Sequence, residues 1–142
     1  MADIKEKITK LDEYLAKQRL DWTDRIKNLA IQLKNGVNLE EVSSHTLSYR
    51  QILVENLSTM GNRIKTQKGV VDRKYKDKWL EYYSYDYKLT DKQKERFIDA
   101  DLADDKQMLS ILESQKSFLE GSIKTLDNMG FAIKNRLDMS KI

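Results

Sequence analysis

Apolar residues in the first part of the chain fall at Ile4, Ile8, Leu11, Leu15, Trp22, Ile26, Leu29 and Leu33, with Gln18 as the one polar intruder. Steps of three and four put them on one face, so the pattern predicts an amphipathic helix over 4–34. Asp3 with Glu6 forms a capping pair before it, and Asn35-Gly36 supplies the stop, because Gly takes the left-handed conformation that closes a helix. Asn38 followed by Glu41 predicts a fresh start, a short helix or turn near Leu39 and Val42 that Ser43-Ser44 breaks. Tyr49, Leu53, Leu57, Met60, Ile64 and Val71 then continue at heptad-like spacing and predict one long helix over 45–84. Gly61 and Gly69 weaken it by up to about 1 kcal/mol each and mark close packing or a bend.

The segment Tyr85 to Leu89 breaks the pattern and reads as a loop, after which Thr90 with Gln93 caps another helix. The acidic run DADLADD at 99–105 sits in the first half of that helix or separates it from the last one. Carboxylates are favourable near a helix N-terminus, which is the plain explanation for the run. The last helix is the most regular. One stripe reads Leu109, Leu112, Lys116, Leu119, Ile123, Leu126, Gly130, Ile133, Leu137; a second, one residue back, reads Met108, Ile111, Gln115, Phe118, Ser122, Thr125, Met129, Ala132. Two adjacent stripes contact two neighbours at once, which suits an oligomeric bundle or ring with the first stripe as its seam. A monomeric bundle that buries both stripes is the alternative. The expected fold is therefore all-α: long amphipathic helices with a C-terminal coiled-coil-like helix assembling into an oligomeric bundle or ring. It divides into an N-terminal helix over 1–37, a long helix over 38–88, and an acidic connector with the C-terminal oligomerisation helix over 89–142.

Composition supports long helices with narrow stripes. The 142 residues include no Pro and five Gly, with 35% charged and 39% apolar side chains, lean for a thick monomeric core. No Cys is present, which removes disulfide and thiolate chemistry and fits a reducing compartment. No leader pattern opens the sequence and no apolar run nears the roughly 18 residues that span a bilayer, so a soluble intracellular protein without membrane contact is expected.

Charge changes the picture more. Residues 1–62 balance at nine basic and nine acidic, whereas 63–88 carry eight basic against four acidic, a local net of +4. The following 89–113 carry four against seven, and the rest returns to five against three. A basic segment beside an acidic one predicts a polarised surface. In the basic segment Arg63, Lys65, Lys68, Arg73, Lys74, Lys76, Lys78 and Lys88 alternate with Tyr75, Trp79, Tyr82, Tyr83, Tyr85 and Tyr87. Cations that meet phosphates, interleaved with rings that meet bases, are what a sequence-tolerant single-strand binder needs. The bland reading is a solvated helix whose aromatics are core. Tyr75 and Tyr82 share the face of Ile64 and Val71, which makes them the core members and leaves Trp79 and Tyr83 for bases.

Catalytic chemistry finds little support. There is neither a phosphate-cradling glycine loop nor a dinucleotide fingerprint, and the one histidine, His45, has no Cys or second His beside it. The acidic run lacks the central Gly and terminal Glu of a calcium loop. No enzyme activity, cofactor or metal is expected.

The block KDKWLEYY from Lys76 to Tyr83, the acidic region near 99–105 and the closing helix with GFAIKN from Gly130 to Asn135 together resemble the UvsY family of recombination mediators from myovirus-type phages. The similarity runs from near Tyr49 to the end. The first forty residues do not match, and Tyr85-Asp86-Tyr87 stands where the family has a Gly-containing turn. The resemblance implies a homo-oligomeric ring, a hexamer or heptamer, that binds single-stranded DNA in the cytoplasm of an infected bacterial host. It implies assistance to a RecA-like recombinase in replacing a single-strand-binding protein. In the family, DNA contacts come from basic residues just before the Leu-acid-Tyr-Tyr segment, here Leu80 to Tyr83. Asp77 and Trp79 stand where family members carry basic residues, and Lys74, Lys76 and Lys78 lie beside them.

The expected DNA-binding set is thus Arg63, Lys65, Lys68, Arg73, Lys74, Lys76, Lys78, Trp79 and Tyr83. The expected oligomer seam is Leu109, Leu112, Leu119, Ile123, Leu126, Gly130, Ile133 and Leu137. Two other readings share these features: a structural coiled-coil adaptor with no nucleic-acid role, and a binder of RNA or duplex.

Overall fold

The computed structural model describes residues 3–36, 38–84 and 89–140. Four α-helices account for the secondary structure of these residues: α1 (Ile4–Asn35), α2 (Leu39–Tyr83), α3 (Asp91–Asp101) and α4 (Ala103–Ser140). Helix α1 starts where Asp3 accepts from the Lys5 amide and stops at Gly36, whose φ of 69° is the left-handed closure expected there. Asn38 is the N-cap expected, its carbonyl accepting from the Val42 amide at 3.0 Å, but with φ 53° and ψ 53° its side chain makes no capping bond.

Helix α2 then runs 45 residues without interruption. The expected break at Ser43-Ser44 is absent. Val42 and Thr46 on either side are buried, and the Thr46 hydroxyl donates to the Val42 carbonyl at 2.7 Å, so the polar groups are satisfied within the helix. Of the expected loop, residues 85–88 lie outside the described residues, while Leu89 and Thr90 are non-helical. Thr90 and Gln93 form the full capping box that opens α3. The acidic run is divided by Leu102, where α3 ends: Asp99 and Asp101 close α3, and Asp104 and Asp105 lie in the first turn of α4.

Helix α4 runs antiparallel to α2, as the Arg50–Asp127 and Lys74–Asp105 pairs show, and parallel to α1, whose Arg19 meets Gln115 and whose Leu33 carbonyl accepts from Arg136. The core is a single cluster with Leu15, Trp22 and Leu29 from α1, Val42, Leu53, Met60 and Ile64 from α2, and Leu112, Leu119, Leu126, Met129 and Ile133 from α4. Trp22 meets Tyr49 edge-on at 5.6 Å, the arrangement favoured by the ring quadrupoles. One polar layer interrupts the apolar stack: Gln115, 0% exposed, accepts from Arg19 at 2.8 Å while its Nε2 has no partner among the described residues.

This arrangement places the stripe expected as an oligomer seam. Leu112, Leu119, Leu126 and Ile133 are buried in the chain's own core, Leu109, Ile123 and Leu137 pack half-buried against it, and Gly130 is half-buried. The two neighbours that the double stripe of α4 demands are α1 and α2 of the same chain, the monomeric alternative. The core cluster reaches no further along α2 than Ile64, and α1 does not touch α3. Beyond Ile64, α2 continues for about five turns as an arm packed against α3 and the start of α4, with Ile98 and Leu102 buried outside the main cluster.

Candidate nucleic-acid interface

The arm carries the basic, aromatic stretch, and its helical geometry sorts the nine residues expected to meet DNA. Lys65, Lys68, Lys76, Trp79 and Tyr83 are separated by steps of three, eight, three and four. At 100° per residue these five fall within an arc of about 80° and extend about 27 Å along the outer side of α2. Lys65, Lys68 and Lys76 are exposed and make no ion pair among the described residues. Arg73 lies next to this arc, exposed, with its Nε donating to the Gly69 carbonyl at 3.3 Å. Asp72 is the one carboxylate on the outer face.

The other three residues fall elsewhere. Lys74 and Lys78 point to the inner side of the arm. The Lys74 ammonium lies 2.9 Å from Asp105, whose side chain is only 9% exposed, and Lys78 lies 3.2 Å from Glu81 and 4.0 Å from Asp101. Arg63 falls on the same side of α2 as Lys74, three turns earlier, and helps line a shallow cavity of about 390 Å³ with Thr59, Asn62, Thr66, Gln67, Met108 and Leu112. The structure therefore brings together five of the nine, with Arg73 at the margin, and separates Lys74, Lys78 and Arg63 from them.

Helix α3 completes the tip. The Lys94 ammonium lies 5.5 Å from the centroid of the Trp79 ring and 5.2 Å from that of Tyr83, a cation on two π-faces. Tyr82 stacks on Phe97 at 5.8 Å and donates to Asp101 at 2.6 Å, which makes it the half-buried anchor of α3. Tyr75, expected beside it in the core, is instead 39% exposed. Tyr75 lies two turns before Tyr82 on the same flank, and it is Tyr82 that Phe97 of α3 stacks on. Tyr83 remains 73% exposed, so a ring edge and face are open to solvent beside a lysine.

Lys94 and Phe97 are missing from the sequence-based set because the caps and acidic content of α3 carry no information on what its middle turns touch. The signal available is the capped helix itself, which must fold back on the residues preceding its loop. Of the acidic run, Asp101 and Asp105 face Lys78 and Lys74 where α3 and α4 return along α2, and Asp99 pairs with Lys106, while Lys65, Lys68 and Lys76 keep their charge unpaired among the described residues.

Among the described residues no group of His, Cys, Asp or Glu could hold a metal ion, and no helix is long and apolar enough to cross a membrane. What remains is an all-helical bundle with an extended arm whose outer face is basic and aromatic. Neither a protein family, a curated protein nor a solved structure matches the chain.

Proposed function

We propose that the chain binds single-stranded DNA along the outer face of the arm, with phosphates on Lys65, Lys68, Lys76 and Arg73 and bases against Tyr83 and Trp79. The observation that carries this reading is the uncommitted state of those lysines: they share one face, no carboxylate among the described residues pairs with them, and two aromatic rings continue their line. Each copy offers few cations, so one copy binds weakly and loses the strand at moderate salt. A homo-oligomer multiplies the faces at high effective concentration and binds one strand across several copies.

The resemblance of KDKWLEYY and GFAIKN to the UvsY family extends the reading to a recombination mediator. In that role the protein holds the strand while a RecA-like recombinase replaces a single-strand-binding protein. No catalytic step is required of the chain. The second reading, a coiled-coil adaptor, draws on the extended helices alone.

Fluorescence anisotropy of a labelled oligothymidine at low salt is the direct test. The expected result is saturable binding that competes with unlabelled single strand better than with duplex or RNA. The Lys65→Ala/Lys68→Ala/Lys76→Ala variant is expected to weaken it at least tenfold and to flatten the salt dependence by about 2, at 0.7 for each phosphate no longer neutralised. Binding that ignores all three substitutions places the strand elsewhere on the chain, and no binding at all favours the adaptor.

A further inference from the structure

The inner side of the arm holds two lysines and a tyrosine already occupied by carboxylates. Asp105 takes Lys74 at 2.9 Å, and Asp101 takes the Tyr82 hydroxyl at 2.6 Å with Lys78 at 4.0 Å. These carboxylates flank Leu102, the residue at which α3 gives way to α4. Oxyanions held by lysines and a phenol make the same interactions that a phosphate backbone makes with such a surface.

Asp101 ends the weakly held helix α3, whereas Asp105 belongs to the first turn of α4. Helix α3 has 11 residues, below the length that is stable alone, and buries only Ile98. It touches α2 and α4 but not α1, and it is docked by Ile98, Leu102, the Tyr82–Phe97 stack and the approach of Lys94 to Trp79 and Tyr83. Such an element opens locally at a fraction of the global free energy.

Resting on the nucleic-acid reading above, we propose that the α3–α4 junction is an internal competitor for the nucleic-acid site. In the free chain Asp105 occupies Lys74, and Asp101 stands beside Lys78 together with the nearer Glu81 at 3.2 Å; an incoming strand displaces the two aspartates and recruits both lysines. The free protein therefore shows only the outer face, and full affinity comes when α3 undocks and Lys74 exchanges the Asp105 carboxylate for phosphate. Lys94 leaves the rings of Trp79 and Tyr83 in the same movement and frees their faces for bases.

The test compares wild type, Asp101→Asn/Asp105→Asn and the control Glu13→Gln/Glu113→Gln, which removes the same charge at two exposed positions away from the arm. Anisotropy with labelled oligothymidine is recorded across a salt series. The Asp101→Asn/Asp105→Asn variant is expected to bind several-fold more tightly than the control, with the wild-type salt slope, because the bound strand meets Lys74 and Lys78 in both. Equal gains in both variants overturn the proposal while leaving the nucleic-acid reading intact. Hydrogen exchange of the wild-type protein gives an independent readout. Adding oligothymidine should speed exchange in Asp91–Asp101 while slowing it in the outer part of α2, and slower exchange in both overturns the displacement. Absence of binding by all three proteins overturns the nucleic-acid reading and this proposal with it.

Discussion

The three-helix end and the arm share the long helix α2 but are held by different physics. Around Leu53, Leu119 and Leu126, each 2% exposed or less, the side chains of α2 and α4 interlock and α1 closes the third side. Past Ile64 the same helix meets a sparse polar seam. Gln67, buried, donates to the Asp105 carbonyl at 2.9 Å, Lys74 meets the Asp105 carboxylate, and Tyr82 meets Asp101. Apolar burial is non-directional and cooperative, whereas each polar contact of the arm exchanges a bond with water for one with protein and nets little. The bundle end holds the fold, and the arm leaves its outer charges and the Tyr83 ring exposed.

The largest effect that can break this comparison lies in the bundle. Leu119→Ala removes a side chain 2% exposed from the shared core and is expected to cost about 2–5 kcal/mol of global stability. Ile98→Ala in the arm removes a comparable side chain that is 0% exposed, yet its cost should fall on α3 alone. Urea unfolding followed by circular dichroism should show a lower midpoint for Leu119→Ala and a near wild-type midpoint for Ile98→Ala. Equal losses in the two variants would mean that bundle and arm unfold as one unit. The pair Leu119→Asp/Ile123→Asp, which the stripe pattern alone would assign to breaking an oligomer, is expected to unfold the chain, because Leu119 faces α1 and α2 of its own molecule.

A smaller effect sharpens the functional side of the contrast. Tyr83→Ala removes the most exposed ring of the arm and is expected to weaken single-strand binding by about 1–3 kcal/mol if one base stacks there. Tyr14→Ala on α1 removes a ring of similar exposure, 57%, from the bundle and should leave binding unchanged. Anisotropy titrations of the two variants at one salt concentration decide the matter. Equal losses would place the strand on no particular face.

How much of this is legible in the residues depends on how local the deciding physics is. Helix α1, its Gly36 stop and the Thr90–Gln93 box rest on spacing and capping, which neighbours in sequence settle. The width of the α4 stripe is equally plain. Its partner is not, since a stripe with apolar residues at every third and fourth place says how much surface must be covered, not whether α2 or a second copy covers it. Ser43-Ser44 reads as a break because hydroxyls compete for backbone groups, but burial of Val42 and Thr46 overrides that local preference. At the site, the outer arc of Lys65, Lys68, Lys76, Trp79 and Tyr83 is implicit in a 100° step. The commitment of Lys74 is not, because its partner Asp105 lies 31 residues away and meets it only when α4 returns along α2, whereas the nearer partner of Lys78 is Glu81 of the same helix.

The smallest effect concerns two glycines of α2, one in each region. A methyl group added at Gly61 or at Gly69 would meet no heavy atom within 4 Å, so neither serves close packing within the chain. Both are helical and both carry the entropic cost of glycine, so each change to Ala should stabilise by about 0.5–1 kcal/mol. The two gains should surface differently. Gly61→Ala lies beside Met60 in the cooperative core and should raise the urea midpoint of the whole chain. Gly69→Ala lies past Ile64 and should slow hydrogen exchange only in the distal turns of α2, with the midpoint unmoved. Since Gly69 also lies on the outer face between Lys65, Lys68 and Lys76, its Ala variant tests how near a strand comes. Lysine ammonium groups hold phosphates at the ends of long side chains, away from the helix backbone, so affinity should stay unchanged; a tenfold loss would bring the strand down onto the backbone at Gly69.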